Sequence, residues 1–98
     1  MNERLKNADT DLLIEGMTHL STPEEYYNFF EDILTVPELK SLSVRFKAAK
    51  LLSEGHTYLD VAALTGASSA TISRISRALS YGANGYNVVL RRMKKDGV

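Results

Sequence analysis

Cysteine is absent from this 98-residue chain. Its absence removes disulfides, thiolate metal sites and a cysteine nucleophile together, and it suits a reducing compartment such as the cytoplasm. Long hydrophobic runs are absent too. None approaches the roughly 18 residues of a membrane span, so no membrane partner is expected. No extended apolar stretch follows Met1-Asn2-Glu3-Arg4, so a signal peptide is not expected. Histidine is scarce. His19 and His56 stand apart from any carboxylate pattern, which speaks against a metal site. They read as helix-end or solvated side chains. No Ser-His-Asp order and no phosphate loop occur, and Glu24-Glu25 reads as helix-start charge rather than an acid/base pair. Nothing here calls for an enzyme. Proline occurs only at positions 23 and 37; each opens a helix, and Pro37 also breaks the run before it.

What the chain does have is an ordinary apolar content, 44%, enough for a folded domain. A single domain over residues 1–98 is the default at this length. So small a core is marginal alone and gains from dimerisation, which closes apolar faces against a second copy. The net charge is zero but segregated. Residues 1–40 carry three basic and nine acidic residues, and residues 41–98 carry nine basic and three acidic ones. Such a split presents a basic region to a polyanion, or simply makes two solvated surfaces.

Periodicity predicts six helices and no strand. The first runs from about Asn7 to His19, with Leu12, Leu13 and Met17 spaced for one face. Thr22-Pro23-Glu24-Glu25 reads as an N-cap, a proline at the first helical position and a capping-box glutamate. Tyr26, Tyr27, Phe30, Ile33 and Leu34 then form a stripe suited to core or dimer interface. Thr35 or Val36 caps a third helix that reaches Ser53, with Leu39, Leu42, Phe46, Ala49 and Leu52 on one face. Arg45, Lys47 and Lys50 lie off that face. Thr57 opens a short fourth helix to about Leu64. Ser68 or Ser69 caps a fifth through Tyr81. Tyr81 to Tyr86 reads as a joint whose Asn84-Gly85 favours positive φ. The last helix covers 85–96, and Arg91, Arg92, Lys94 and Lys95 suit its C-terminal dipole end. They either add phosphate contacts or form a solvated helix end. No internal repeat is present.

Residues Thr57–Leu79 have the grammar of a helix-turn-helix. Ala62 and Ala63 allow close helix approach, and Gly66 supplies the turn. Ile72, Ile75 and Leu79 step by three and four and anchor the second helix. That leaves Ser69, Ala70, Ser73, Arg74 and Arg77 nearer the outside. Small residues at a helix N-terminus permit approach to base edges. Hydroxyls and first-turn amides bind phosphate, and arginine reads guanine or neutralises phosphate. A helical hairpin used only for packing or protein interaction is the competing reading.

The run Gly66-Ala67-Ser68-Ser69-Ala70-Thr71-Ile72-Ser73-Arg74 resembles the recognition region of the Trp repressor superfamily. Leu51-Leu52 before Glu54-Gly55, with the joint at 81–86, looks more like its Trp repressor-like branch in Gram-positive bacteria. The likeness is strong over about residues 37–90. It implies an all-α, six-helix fold and an intertwined homodimer. In that arrangement residues 1–54 hold the dimerisation helices, 57–81 the helix-turn-helix and 85–96 the C-terminal helix. Two recognition helices would meet half-sites about one helical turn, ~34 Å, apart on double-stranded DNA. Family members use an amino-acid corepressor flanked by two arginines, and Arg45 and Arg74 look like their matches; phosphate binding or intrachain pairing is the competing reading for both. Ile75 stands where the Trp repressor has glycine. A branched side chain there fills part of the indole slot, so tryptophan is not the expected effector. A smaller amino acid, with histidine a candidate by resemblance, or no effector at all, is expected.

The expected function is a bacterial, cytoplasmic, operator-binding transcriptional regulator, a repressor of amino-acid metabolism genes. Ser69, Ala70 and Ser73 would approach bases, and Ser68, Thr71, Arg74 and Arg77 would contact phosphates or base edges. The alternative is a helical adaptor that keeps the fold without specific DNA binding.

Overall fold

Helix starts dominate the local hydrogen bonding of this chain, and they place every element of it. In the computed structural model, which describes residues 4–95, the order is α1 (Ala8–Met17), α2 (Pro23–Ile33), α3 (Val36–Ser53), α4 (Tyr58–Thr65), α5 (Ser69–Tyr81) and α6 (Gly85–Lys95). No strand occurs among the described residues, so the architecture is all-α with six helices, as expected. Residue 96, the expected end of the last helix, lies outside the described residues, as do residues 1–3.

The starts of α1 to α5 are each held by a side chain that accepts from an amide left unpaired in the first turn. Asn7 Oδ1 accepts from the Thr10 N–H at 2.8 Å. Thr22 and Glu25 form the full capping box, with Pro23 just inside. Thr35, rather than Val36, caps α3: its hydroxyl accepts from the Glu38 N–H at 3.2 Å, and its own N–H donates to Glu38 Oε1 at 2.8 Å. Thr57 accepts from the Asp60 N–H at 3.1 Å.

The joint between the last two helices is short, as helices expected to end at Tyr81 and to begin again at residue 85 imply. The Gly82 N–H donates to Ala78 O at 3.0 Å, and the Val88 N–H to Asn84 O at 3.1 Å. Helical bonding therefore absorbs Tyr81 on one side and Gly85 and Tyr86 on the other, and leaves only residues 82–84 outside the helices. Asn84 takes the positive φ, +70°. Gly82 is there for space. A Cβ at this position would lie 2.5 Å from Ala78 O and 2.9 Å from Ala78 Cα.

Contacts divide the chain into two compact units, Met1–Leu39 and Lys40–Val98. The division falls inside α3. The core lies in the second unit. Ala48, Ala49, Val61 and Ile72 are fully buried, and Ile75 is nearly so. Leu51, Leu52, Leu79, Tyr86 and Leu90 pack around them. Alanines at 48 and 49 let the partner helices close on α3, which is why the bulkier positions of its predicted stripe sit at the margin of the core. Leu42 remains exposed.

The first unit is different. Neither α1 nor α2 has a buried residue. Leu12, Ile14 and Tyr27 are 69%, 55% and 71% exposed. Tyr26 and Phe30 meet edge to face at 6.2 Å, and Phe30 and Leu34 are half-buried. The aromatic stripe of α2 is thus an open apolar surface rather than core of its own chain.

The units also divide the charge. Two basic and nine acidic residues fall in positions 1–39, and ten basic and three acidic ones in 40–98.

Candidate nucleic-acid interface

The turn between α4 and α5 is built by Thr65, Gly66 and Ser68. Gly66 ends α4 with φ +76°, a left-handed conformation that costs glycine little, and its N–H donates to Ala62 O at 2.9 Å. The Thr65 hydroxyl donates to Val61 O at 2.7 Å and accepts from the Ala67 N–H at 3.1 Å. Ser68 then caps α5, accepting from the Thr71 N–H at 3.2 Å. The turn is pinned from both ends by local bonds, so the first turn of α5 has a defined direction.

A third support comes from α3. Lys47 Nζ donates to Leu64 O at 3.3 Å, satisfying a carbonyl at the C-terminal end of α4 where a cation also suits the helix dipole. No local signal marks Lys47 for this role, because its partner lies 17 residues away. The same holds at the other end of α5, where Asn87 Nδ2 donates to Leu79 O at 2.8 Å and ties α6 to the last turn of that helix.

With α5 held at both ends, its two faces separate. Ile72 and Ile75 enter the core, and Leu79 is half-buried against it. Ser68, Ser69, Ala70, Ser73, Arg74 and Arg77 are exposed, while Thr71 is half-buried. The Ser68 hydroxyl also donates to Thr71 Oγ1 at 3.0 Å, so these two hydroxyls already bond within the cap. The first turn of α5 contains no acidic residue. Its unpaired amides and the positive end of its dipole therefore face solvent without an internal counter-anion.

Arg45, Arg74 and Arg77 are exposed, and none enters a salt bridge among the described residues. The ion pair found there joins Lys50 to Glu54 within α3 and its C-terminal end. The Lys50 hydrogen bond, helped by the charges of His56 and Lys94, holds the Glu54 carboxyl below its ordinary range. Ile75 is part of the core cluster. Three clefts of the second unit, of about 650, 480 and 430 Å³, are lined by other residues than Arg45, Arg74 and Ile75. No group of histidines and carboxylates suited to a metal occurs among the described residues. No helix among them is long and apolar enough to cross a membrane.

A family model described as Trp repressor protein matches residues 8–94, a span that contains all six helices but the last residue of α6. The chain belongs to the Trp repressor family. It is 47% identical to a TrpR-like protein from Eubacterium eligens, whose crystal structure superposes with a TM-score of 0.89 over 95% of this chain and 96% of that one. A proposed Trp repressor from Staphylococcus aureus, 41% identical, also gives a TM-score of 0.89, over 96% of this chain and 94% of its own. The uncharacterized protein YerC of Bacillus subtilis (strain 168) is 41% identical over 93 residues, covering 95% of this chain and 89% of YerC. The Trp repressor family is one of DNA-binding regulators rather than enzymes.

Proposed function

We propose that this chain is a bacterial, cytoplasmic repressor of amino-acid metabolism genes that binds a palindromic operator as a homodimer. One observation carries the reading. On α5 the apolar side chains enter the core while Ser69, Ala70, Ser73 and Arg74 stand exposed beside a serine-capped N-terminus free of carboxylates. Small side chains there allow approach to base edges, and the cap amides and arginines suit phosphates.

The homodimer draws support from the first unit, whose open apolar residues Leu12, Ile14 and Tyr27 are of the kind that a second copy covers. The basic excess of the second unit suits a polyanion. A small amino-acid effector belongs to the same reading. Ile75 packs in the core at the position where the Trp repressor has glycine, which disfavours tryptophan, and the exposed Arg45 and Arg74 are available to a carboxylate or to DNA phosphate.

Selection of bound fragments from the source genome, with and without each amino acid, tests this directly. The selected duplex should contain two related half-sites, and its affinity should fall steeply as salt rises. Weak binding without sequence preference even at low salt would instead favour an adaptor that keeps the fold for protein contacts.

A further inference from the structure

The 650 Å³ cleft is lined by residues from the C-terminal end of α3, the joint and α6; of these, Arg91 and Lys94 also belong to the basic helix end that offers phosphate contacts. Leu90 and Met93 are half-buried in it, and Lys50, Arg91 and Lys94 stand exposed around it. That arrangement gives an apolar floor and a cationic rim. Glu54 is the one carboxylate of the lining, and it is paired with Lys50. Arg91 and Lys94 form no ion pair among the described residues, so the cleft keeps two cations in excess. They are three positions apart on α6, hence neighbours on one face. Asn84 and Asn87 add amide groups, and the bond from Asn87 to Leu79 O holds that side chain in place.

Volume and chemistry together narrow the occupant. The cleft has the size of a small-molecule site, and such sites pair an apolar body with a few placed polar groups. A bare inorganic ion would leave the Leu90–Met93 floor unused. A neutral apolar molecule would bury next to unmatched cations, which is unfavourable.

We propose that this cleft binds a small organic anion, its carboxylate or phosphate head against Arg91 and Lys94 and its apolar body over Leu90 and Met93. The assignment does not depend on the DNA-binding reading, because the site and its occupant are defined without a duplex.

The test is an NMR titration of the full chain, without DNA, using phenyl phosphate, phenylacetate and neutral benzyl alcohol. At least one anion should give saturable shifts at the amides of Leu90, Arg91, Met93 and Lys94, and benzyl alcohol should not. Preference between the two anions identifies the head group. The double variant Arg91→Gln, Lys94→Gln should weaken binding about tenfold or more, as expected for lost charge-assisted hydrogen bonds. Both side chains are exposed, so the fold should survive. Arg92→Gln, on the same helix but outside the cleft lining, should leave binding unchanged. Absence of saturation with either anion through the millimolar range would overturn the proposal. So would equal weakening by Arg92→Gln, which would reveal general charge attraction. Loss of duplex affinity in the double variant without anion binding would assign the cleft to the DNA backbone, and would also overturn it.

Discussion

The Lys47 ammonium donates to the Leu64 carbonyl oxygen at 3.3 Å, so the middle of α3 holds the C-terminal end of α4 just before the turn into α5. The contact bears on the direction in which that helix leaves the turn. Replacing Lys47 by Met keeps the aliphatic stem and removes the donor. The expected loss is about 0.5–1 kcal/mol of stability in urea denaturation, in line with a cation at a solvated helix end. Operator affinity should fall along with it. Unchanged stability and unchanged affinity would show that the turn is self-sufficient.

Gly82 and Gly85 offer a paired comparison. A Cβ on Gly82 would sit 2.5 Å from the Ala78 carbonyl oxygen, whereas one on Gly85 meets nothing within 4 Å. Gly82→Ala should therefore destabilise by about 1–3 kcal/mol, as overpacking against backbone does. Gly85→Ala should be neutral or slightly stabilising, since alanine is the better residue in a helix. Thermal unfolding of the two variants side by side measures the difference.

Arg74 is exposed and outside any ion pair among the described residues, so Arg74→Ala should leave stability within about 0.5 kcal/mol. Operator affinity should nevertheless fall about tenfold, with the salt slope reduced by about 1 if the arginine contacts a phosphate. Fluorescence anisotropy across a salt series reads both quantities. An unchanged affinity and an unchanged effector response would remove Arg74 from the interface.

Acid titration should find Glu38 and Glu54 below the ordinary carboxyl value of 4.5. For Glu38 the main cause is the hydrogen bond from the Thr35 backbone N–H, followed by the Thr35 side chain. For Glu54 it is the Lys50 hydrogen bond. Because the folded state favours the charged form, each contribution to stability is fully present above the unfolded value. It is lost as pH falls through the lowered folded one. Carboxyl-detected NMR should show both midpoints shifted down. The stability difference between the parent and Glu38→Gln should shrink as the solution is acidified below 4.5.

The open apolar surface of α1 gives a prediction for assembly. Leu12→Asp combined with Ile14→Asp should convert a dimer to monomers in sedimentation, because both side chains are more than half exposed in the single chain and their replacement costs that chain no core. A dimer that survives the double change would place the interface elsewhere.

The parts of this molecule that the sequence makes legible are the ones decided within a few residues. Thr22, Thr35, Thr57 and Ser68 announce helix starts because a capping bond spans three positions. Gly66 announces the turn because left-handed backbone favours glycine. The outward set on α5 follows from the spacing of Ile72 and Ile75. The joint is legible from its glycines and asparagine, and helical bonds from Gly82 to Ala78 and from Val88 to Asn84 close it down to residues 82–84. Ile75 steps from Ile72 by three positions, and it joins the same core cluster.

Composition, capping and periodicity therefore determine by themselves that the chain is six helices with a basic second half and a small-residue tip on the fifth. Only the tertiary structure decides that Lys47 reaches Leu64, that Asn87 reaches Leu79, and that Lys50, Arg91 and Lys94 surround one cleft. The reason is range. Caps and helical faces are set by energies between near neighbours in the chain, whereas these contacts join residues whose proximity exists only after the helices have packed.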